Sequence, residues 1–145
     1  MTEELQNKLY EAYPKIFVEK DLPMTQTCMC WGICIDDGWF QIFDTMCNKL
    51  QEYSDKMGVQ VIAQQVKEKI GELRFYYCVI HTVENISTDL DKQINKEIDK
   101  IVEEAEIACS KTCEQCGKPG KNIAVRGWYQ TTCEECTEKR KTKNG

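Results

Sequence analysis

Apolar residues recur along this chain at two periods, and the switches between them mark out its elements. Leu5, Leu9 and Ala12 share one helical face behind Thr2, a side chain suited to cap a helix, with Glu3 and Glu4 in the first turn. Pro14 disfavours the helical region at Tyr13, so the first helix is expected to end there. Residues 14–36 show no clear period. They contain Pro23 and the run Cys28-Met29-Cys30-Trp31-Gly32-Ile33-Cys34, read as an ordered loop or short strand. Asp36 or Asp37 can cap a second helix whose apolar face is Trp39, Phe43, Met46, Cys47, Leu50, Tyr53 and Met57, with Gly58 as its stop.

The period then shortens. Residues 59–66 are β-branched and partly alternating, residues 73–80 form a second such run, and Gly71 lies near the turn between them. An antiparallel hairpin follows, with helices covering one face. Alternation puts Arg74 and Tyr76 on one side and Phe75 and Tyr77 on the other. From residue 88 to residue 109 the helical period returns as Leu90, Ile94, Ile98, Ile101, Val102, Ala105 and Ala108. That stripe suits either an internal core or a dimer seam. The expected fold class is α+β: helices packed on a small antiparallel sheet over residues 1–110. A four-cysteine zinc ribbon over 111–140 and a flexible, frayed tail over 141–145 complete it.

Composition narrows the classes. The chain has 145 residues, 41% hydrophobic and 30% charged, which fits one folded domain. Residues 1–110 carry 11 Lys+Arg against 20 Asp+Glu, whereas residues 111–145 carry 8 against 4. The acidic body argues against duplex binding by bulk electrostatics, while the C-terminal segment is locally basic. No run approaches the roughly 20 apolar residues of a membrane span, and the start is acidic and amphipathic, so neither a membrane anchor nor export is expected. Ten cysteines in that setting favour reduced thiols and metal ligation.

The strongest chemical motif is Cys113-x-x-Cys116, then sixteen residues, then Cys133-x-x-Cys136. Each CxxC turn presents two thiolates, and a short hairpin between the pairs can close a tetrahedral shell suited to Zn²⁺. Gly117 and Gly120 supply tight backbone for such a knuckle. A full set of four thiolates leaves no open position, so this zinc would be structural; a redox-active CxxC or two disulfides is the competing reading. Cys28, Cys30, Cys34 and Cys47 do not match a known ligand spacing and, with Cys78 and Cys109, are read as small apolar side chains.

A second candidate site is aromatic and basic. Trp31, Trp39, Lys67, Lys69, Arg74 and Tyr76 are the residue types that stack an aromatic ligand and hold an anion, though each also fits a core or solvated role. The lone histidine, His81, and the lack of a phosphate loop, nucleophile elbow or HExxH argue against an enzyme.

Three stretches carry a family resemblance: Leu22-Pro23-Met24-Thr25-Gln26-Thr27-Cys28-Met29-Cys30-Trp31-Gly32 with Asp37-Gly38-Trp39-Phe40, then residues 65–76, then the ribbon with Gly127-Trp128 before its second CxxC. Together they resemble a group of small uncharacterised proteins of tailed phages and prophages. The resemblance implies a viral protein in the cytoplasm of an infected bacterium and brings no mechanism. It departs at Cys34, which is outside that pattern. The expected function is therefore a non-enzymatic, phage-encoded counter-defence module that sequesters an anionic nucleotide-type immune signal or blocks a host defence protein. The alternative is a nucleic-acid-associated zinc-ribbon regulator, using Arg126, Trp128 and Tyr129. A carboxylate-dependent nuclease or nucleotide hydrolase ranks last. A homo-oligomer is compatible with the stripe at 90–108.

Overall fold

The computed structural model describes residues 1–143. In chain order it contains α1 (Glu3–Ala12), β1 (Ile33–Cys34), α2 (Phe40–Met57), β2 (Val59–Lys69), β3 (Glu72–His81), α3 (Thr88–Cys109), β4 (Lys121–Val125), β5 (Trp128–Thr132) and α4 (Glu134–Lys143). The fold class is α+β, with helices packed on small sheets and the four C-terminal cysteines gathered together.

Local chemistry accounts for most boundaries. The Ser87 hydroxyl accepts from the Leu90 N–H and caps α3, and Asp89 and Asp91 sit in its first turn, where the helix dipole favours acids. Helix α2 ends at Gly58, and β2 begins at the next residue. Residues 37–39, expected as the helix start, instead form a 3-10 turn before α2.

The β2–β3 hairpin pairs Val59 with His81 at its open end and Lys69 with Glu72 at its tip. Its register shifts between Ala63 and Gln65. At that bulge the Gln64 carbonyl accepts from the Cys28 N–H at 3.2 Å, so the bulge is where the long loop fastens to the sheet. The loop also holds at Ile16, whose carbonyl accepts from the Ala63 N–H at 2.8 Å. Strand β1, two residues long, then pairs in parallel with β2, Ile33 against Val66.

The core lies between this sheet and the helices: α2 packs on β2, α3 on β3, and α2 on α3. Leu9, Phe17, Trp39, Phe43, Leu50, Val61, Leu73, Ile94 and Ile98 are all at most 2% exposed. Rings run through it in sequence, with Tyr10 edge-on to Phe17 and Phe43 edge-on to Phe75, which stacks on Tyr77. The α3 stripe is thus spent largely inside the protein, at Ile94, Ile98, Val102 and Ala105, while Leu90 stays exposed.

The frayed tail expected after Cys136 is corrected. Residues 134–143 form α4, with Glu134 and Glu135 in its first turn and Arg140, Lys141 and Lys143 in its last, the order the dipole favours. Glu135–Lys139, at 3.2 Å, adds an (i, i+4) pair. The expected tail at 141–145 therefore overlaps the end of this helix, and residues 144 and 145 lie outside the described residues.

Candidate metal centre

Helix α3 delivers the chain straight into the first cysteine turn. The Cys113 carbonyl accepts from the Gly117 N–H at 3.0 Å, and the Cys113 N–H donates to Lys118 O at 2.7 Å, closing the knuckle. The β4–β5 hairpin, paired from Lys121–Thr132 to Val125–Trp128, then returns the chain to Cys133. Cys136 follows in the first turn of α4, its N–H directed at Cys133 Sγ at 3.4 Å.

The four Sγ atoms of Cys113, Cys116, Cys133 and Cys136 all lie within 4.8 Å of one another, and Cys116 and Cys133 Sγ are 3.6 Å apart. A tetrahedral shell with metal–sulfur bonds of about 2.3 Å has sulfur–sulfur edges of about 3.8 Å, whereas a disulfide needs about 2.05 Å. All four cysteines are free. The geometry is therefore one that could hold a metal ion, and it is not that of disulfides. Among the described residues this is the one group of three or more Cys, His, Asp or Glu side chains placed to share an ion.

Electrostatics make the same demand. Burial pushes the Cys113 thiol up, but N–H groups of Cys116, Cys133 and Gln115 and the Thr132 hydroxyl outweigh it and bring it down to about 6. Burial and then its sulfur neighbours push Cys136 up to about 12. One thiolate is thus welcomed and the next is resisted, as expected of like charges a few ångströms apart. A bound cation removes that conflict.

The cluster is built into the body rather than hung from it. The Gly38 N–H donates to Glu114 O at 2.9 Å, and Trp39 Nε1 donates to Thr112 O at 2.8 Å. On the other side the hairpin tip holds the ribbon: Thr131 Oγ1 donates to Gly71 O at 2.6 Å and Asn122 Nδ2 to Ile70 O at 2.8 Å. Gly71 has φ +79°, which an L side chain resists, and its backbone lies against Gln130. At Gly38 the constraint is space. A Cβ there would overlap the Cys113 carbonyl oxygen and lie 2.6 Å from the Glu114 carbonyl carbon. Gly38→Ala should therefore destabilise the protein by about 1–3 kcal/mol and speed metal loss to a chelator. A melt and a zinc-transfer assay at unchanged values would count against this docking role.

Glu114 is a buried carboxyl beside the first ligand. Burial, then the Glu68 and Asp36 carboxylates, raise it to about 7, while Arg140 pulls the other way. Arg140 Nη2 lies 3.8 Å from Glu114 Oε1 and, with the Gln115 amide oxygen turned toward it, also donates there at 2.6 Å. Arg140 on α4 thus reaches back to the knuckle at Glu114 and Gln115.

The aromatic and basic set does not assemble as one pocket. Trp39, expected at a ligand site, is 0% exposed in the core, and its indole N–H is spent on the knuckle; that assignment is corrected. Lys67, Lys69, Arg74 and Tyr76 share the outer face of the hairpin, with Lys67 Nζ 5.9 Å from the Tyr76 ring centre and Arg74 paired to Glu72 at 2.6 Å. Trp31 stands apart, largely exposed, over a recess lined by Tyr10 and Lys20. Cys28, Cys30 and Cys34 are exposed whereas Cys47 is in the core, so these four do not form a shell. Cys109 is also a core residue, its thiol pushed up to about 12 by burial.

Gly38, Glu114, Gln130 and Arg140 escaped the sequence reading as site residues. Trp39 was legible as a helix-face residue and Gly38 only within the stretch of family resemblance, since their partners at 112–114 are far along the chain. No protein-family model, curated protein or solved structure matches this chain. No helix among the described residues is long and apolar enough to cross a membrane.

Proposed function

We propose that this chain is a non-enzymatic binding module with a structural Zn²⁺ on Cys113, Cys116, Cys133 and Cys136. It acts as a phage-encoded counter-defence protein in the cytoplasm of an infected bacterium, taking up an anionic nucleotide-type signal or covering a host defence protein. The observation that carries the metal is the four-sulfur cluster with near-tetrahedral spacing, fastened to the body at Gly38 and Trp39. Zinc suits it because four soft thiolates in a tetrahedron match that ion and leave no position open for substrate. The viral setting is supported by the sequence resemblance of residues 22–40, 65–76 and the ribbon.

Native mass spectrometry under reducing conditions should find one zinc per chain and no disulfide. Thermal shift of that zinc-loaded protein against cyclic oligonucleotides and ADP-ribose derivatives tests the ligand class. Stabilisation by at least one compound is expected; none, together with no captured host protein, would overturn the counter-defence reading while leaving the zinc count standing.

A second reading has its own observation. Trp128 is 79% exposed and Tyr129 58% exposed on the locally basic ribbon, against a core that hides Trp39 completely. Large aromatics held in water on a cationic surface are what a nucleic-acid-associated ribbon uses to stack bases.

A further inference from the structure

The two faces of the β4–β5 ribbon differ in chemistry. Strand register places Val125 opposite Trp128 and Ile123 opposite Gln130, so period two puts these four on one face. Asn122 and Thr131 lie on the other, which meets the hairpin tip. The first face looks into a cavity of about 260 Å³ lined by Val125, Arg126, Trp128, Gln130 and Arg140. Arg140 is also a wall of a neighbouring recess of about 600 Å³ with Gln115, Lys139, Thr142 and Lys143. The two openings together run from an exposed indole to the basic end of α4.

Gln130 is the residue that needs explaining. It is 3% exposed, and no protein group hydrogen-bonds to its Nε2 or its Oε1. A buried amide without partners is costly, and an apolar side chain of the same size would avoid that cost. Here Gln130 is among the residues lining a cavity beside the most exposed tryptophan in the chain. An amide offers a donor and an acceptor side by side, the pattern of a base edge, and an indole offers a stacking surface. Lys139, Arg140 and Lys143 add positive charge where a phosphate would follow, within a segment carrying 8 Lys+Arg against 4 Asp+Glu.

We propose that this face of the ribbon binds single-stranded nucleic acid, with one base stacked on Trp128, its edge met by Gln130, and the adjoining phosphates held by Arg140, Lys139 and Lys143. This rests on the nucleic-acid reading above and gives it a site. Single strands are favoured over duplex because an indole and a recessed amide need a base that is splayed out, and because the acidic body repels a long polyanion. Few phosphates are contacted, so affinity is modest and falls with salt.

The test uses the zinc-loaded full chain and fluorescein-labelled oligonucleotides of one mixed sequence, as single-stranded DNA, single-stranded RNA and DNA duplex, read by anisotropy at low and physiological salt. Single strands are expected to bind more tightly than duplex, and the DNA and RNA arms decide which strand the site prefers. Trp128→Ala should weaken binding about ten- to a hundredfold with zinc content and melting temperature unchanged. Gln130→Met should weaken it roughly three- to tenfold while melting at or above the parent protein, a combination that a merely structural glutamine would not give. If the parent chain binds strands but both variants bind equally well, the site is wrong and the nucleic-acid reading survives. If the parent chain binds no single strand, both fall together.

Discussion

Cys116→Ser should cost several kcal/mol of metal-linked stability, release the zinc and unfold the ribbon, although Cys116 is an exposed residue. The contrast is the point. An exposed Cys-to-Ser change away from a special feature normally moves stability by no more than about 0.5 kcal/mol, as is expected here of Cys28→Ser. Cys116 differs because its sulfur is one of four, 3.6 Å from Cys133 Sγ, and a serine hydroxyl is a poor ligand for a thiolate-bound ion. Ligand binding that occurs only in the folded state is folding free energy, so losing one ligand removes much of what closes the knuckle. Loss should propagate, because Thr112, Glu114 and Thr131 all bond to the body or to each other near the cluster. Melting with and without chelator measures this: the parent protein should lose stability on chelation and Cys116→Ser should lose nothing further. A variant that kept both zinc and melting temperature would refute the cluster's role.

The second large effect is expected at Trp39. Truncation to alanine removes the whole indole from a site that is 0% exposed, in the same buried core as Phe43. Aromatic-to-alanine changes in cores cost about 3–5 kcal/mol, part of it the cavity that remains. Here the indole N–H also leaves Thr112 O, the residue before the first metal ligand, without its partner. Trp39→Ala should therefore lower stability by about that amount and also weaken zinc retention, while Trp39→Phe should cost less in packing yet still loosen the knuckle. Denaturant unfolding gives the first quantity and competition with a chelator the second. Trp31→Ala is the control: its side chain is 65% exposed, and the change should be nearly silent in both. Equal effects at Trp31 and Trp39 would contradict the placement of these two rings.

These two tryptophans also show how far sequence reaches here. Trp39 stood on the helical face of Phe43, Met46 and Leu50 and, at the same time, in the aromatic set proposed for a ligand. The period was the better guide, because a face shared with three core residues is decided by packing, whereas residue type alone fits either role. Helix α3 was legible from 88 to 109 because its apolar stripe keeps helical spacing; the Ser87 cap and the acidic first turn came only with the structure. The hairpin was legible from alternation and Gly71, and the four cysteines from spacing. What stayed hidden is long-range. The pairing of β1 with β2 involves two residues and a partner some thirty positions away. Helix α4 has no apolar stripe for a pattern to reveal; it is organised by Cys136 at one end and charge order along its length. Gly38 and Gln130 matter through contacts, or the want of them, that no local pattern encodes.

Four thiolates holding one zinc would tie the ribbon to the α+β body through Gly38 and Trp39. X-ray absorption at the zinc edge of the purified, reduced full chain tests it most directly. Four sulfur neighbours at about 2.3 Å, with no nitrogen or oxygen in the shell, are expected. A shell with fewer than four sulfurs, or protein that carries no zinc and has its cysteines paired as disulfides, would contradict it.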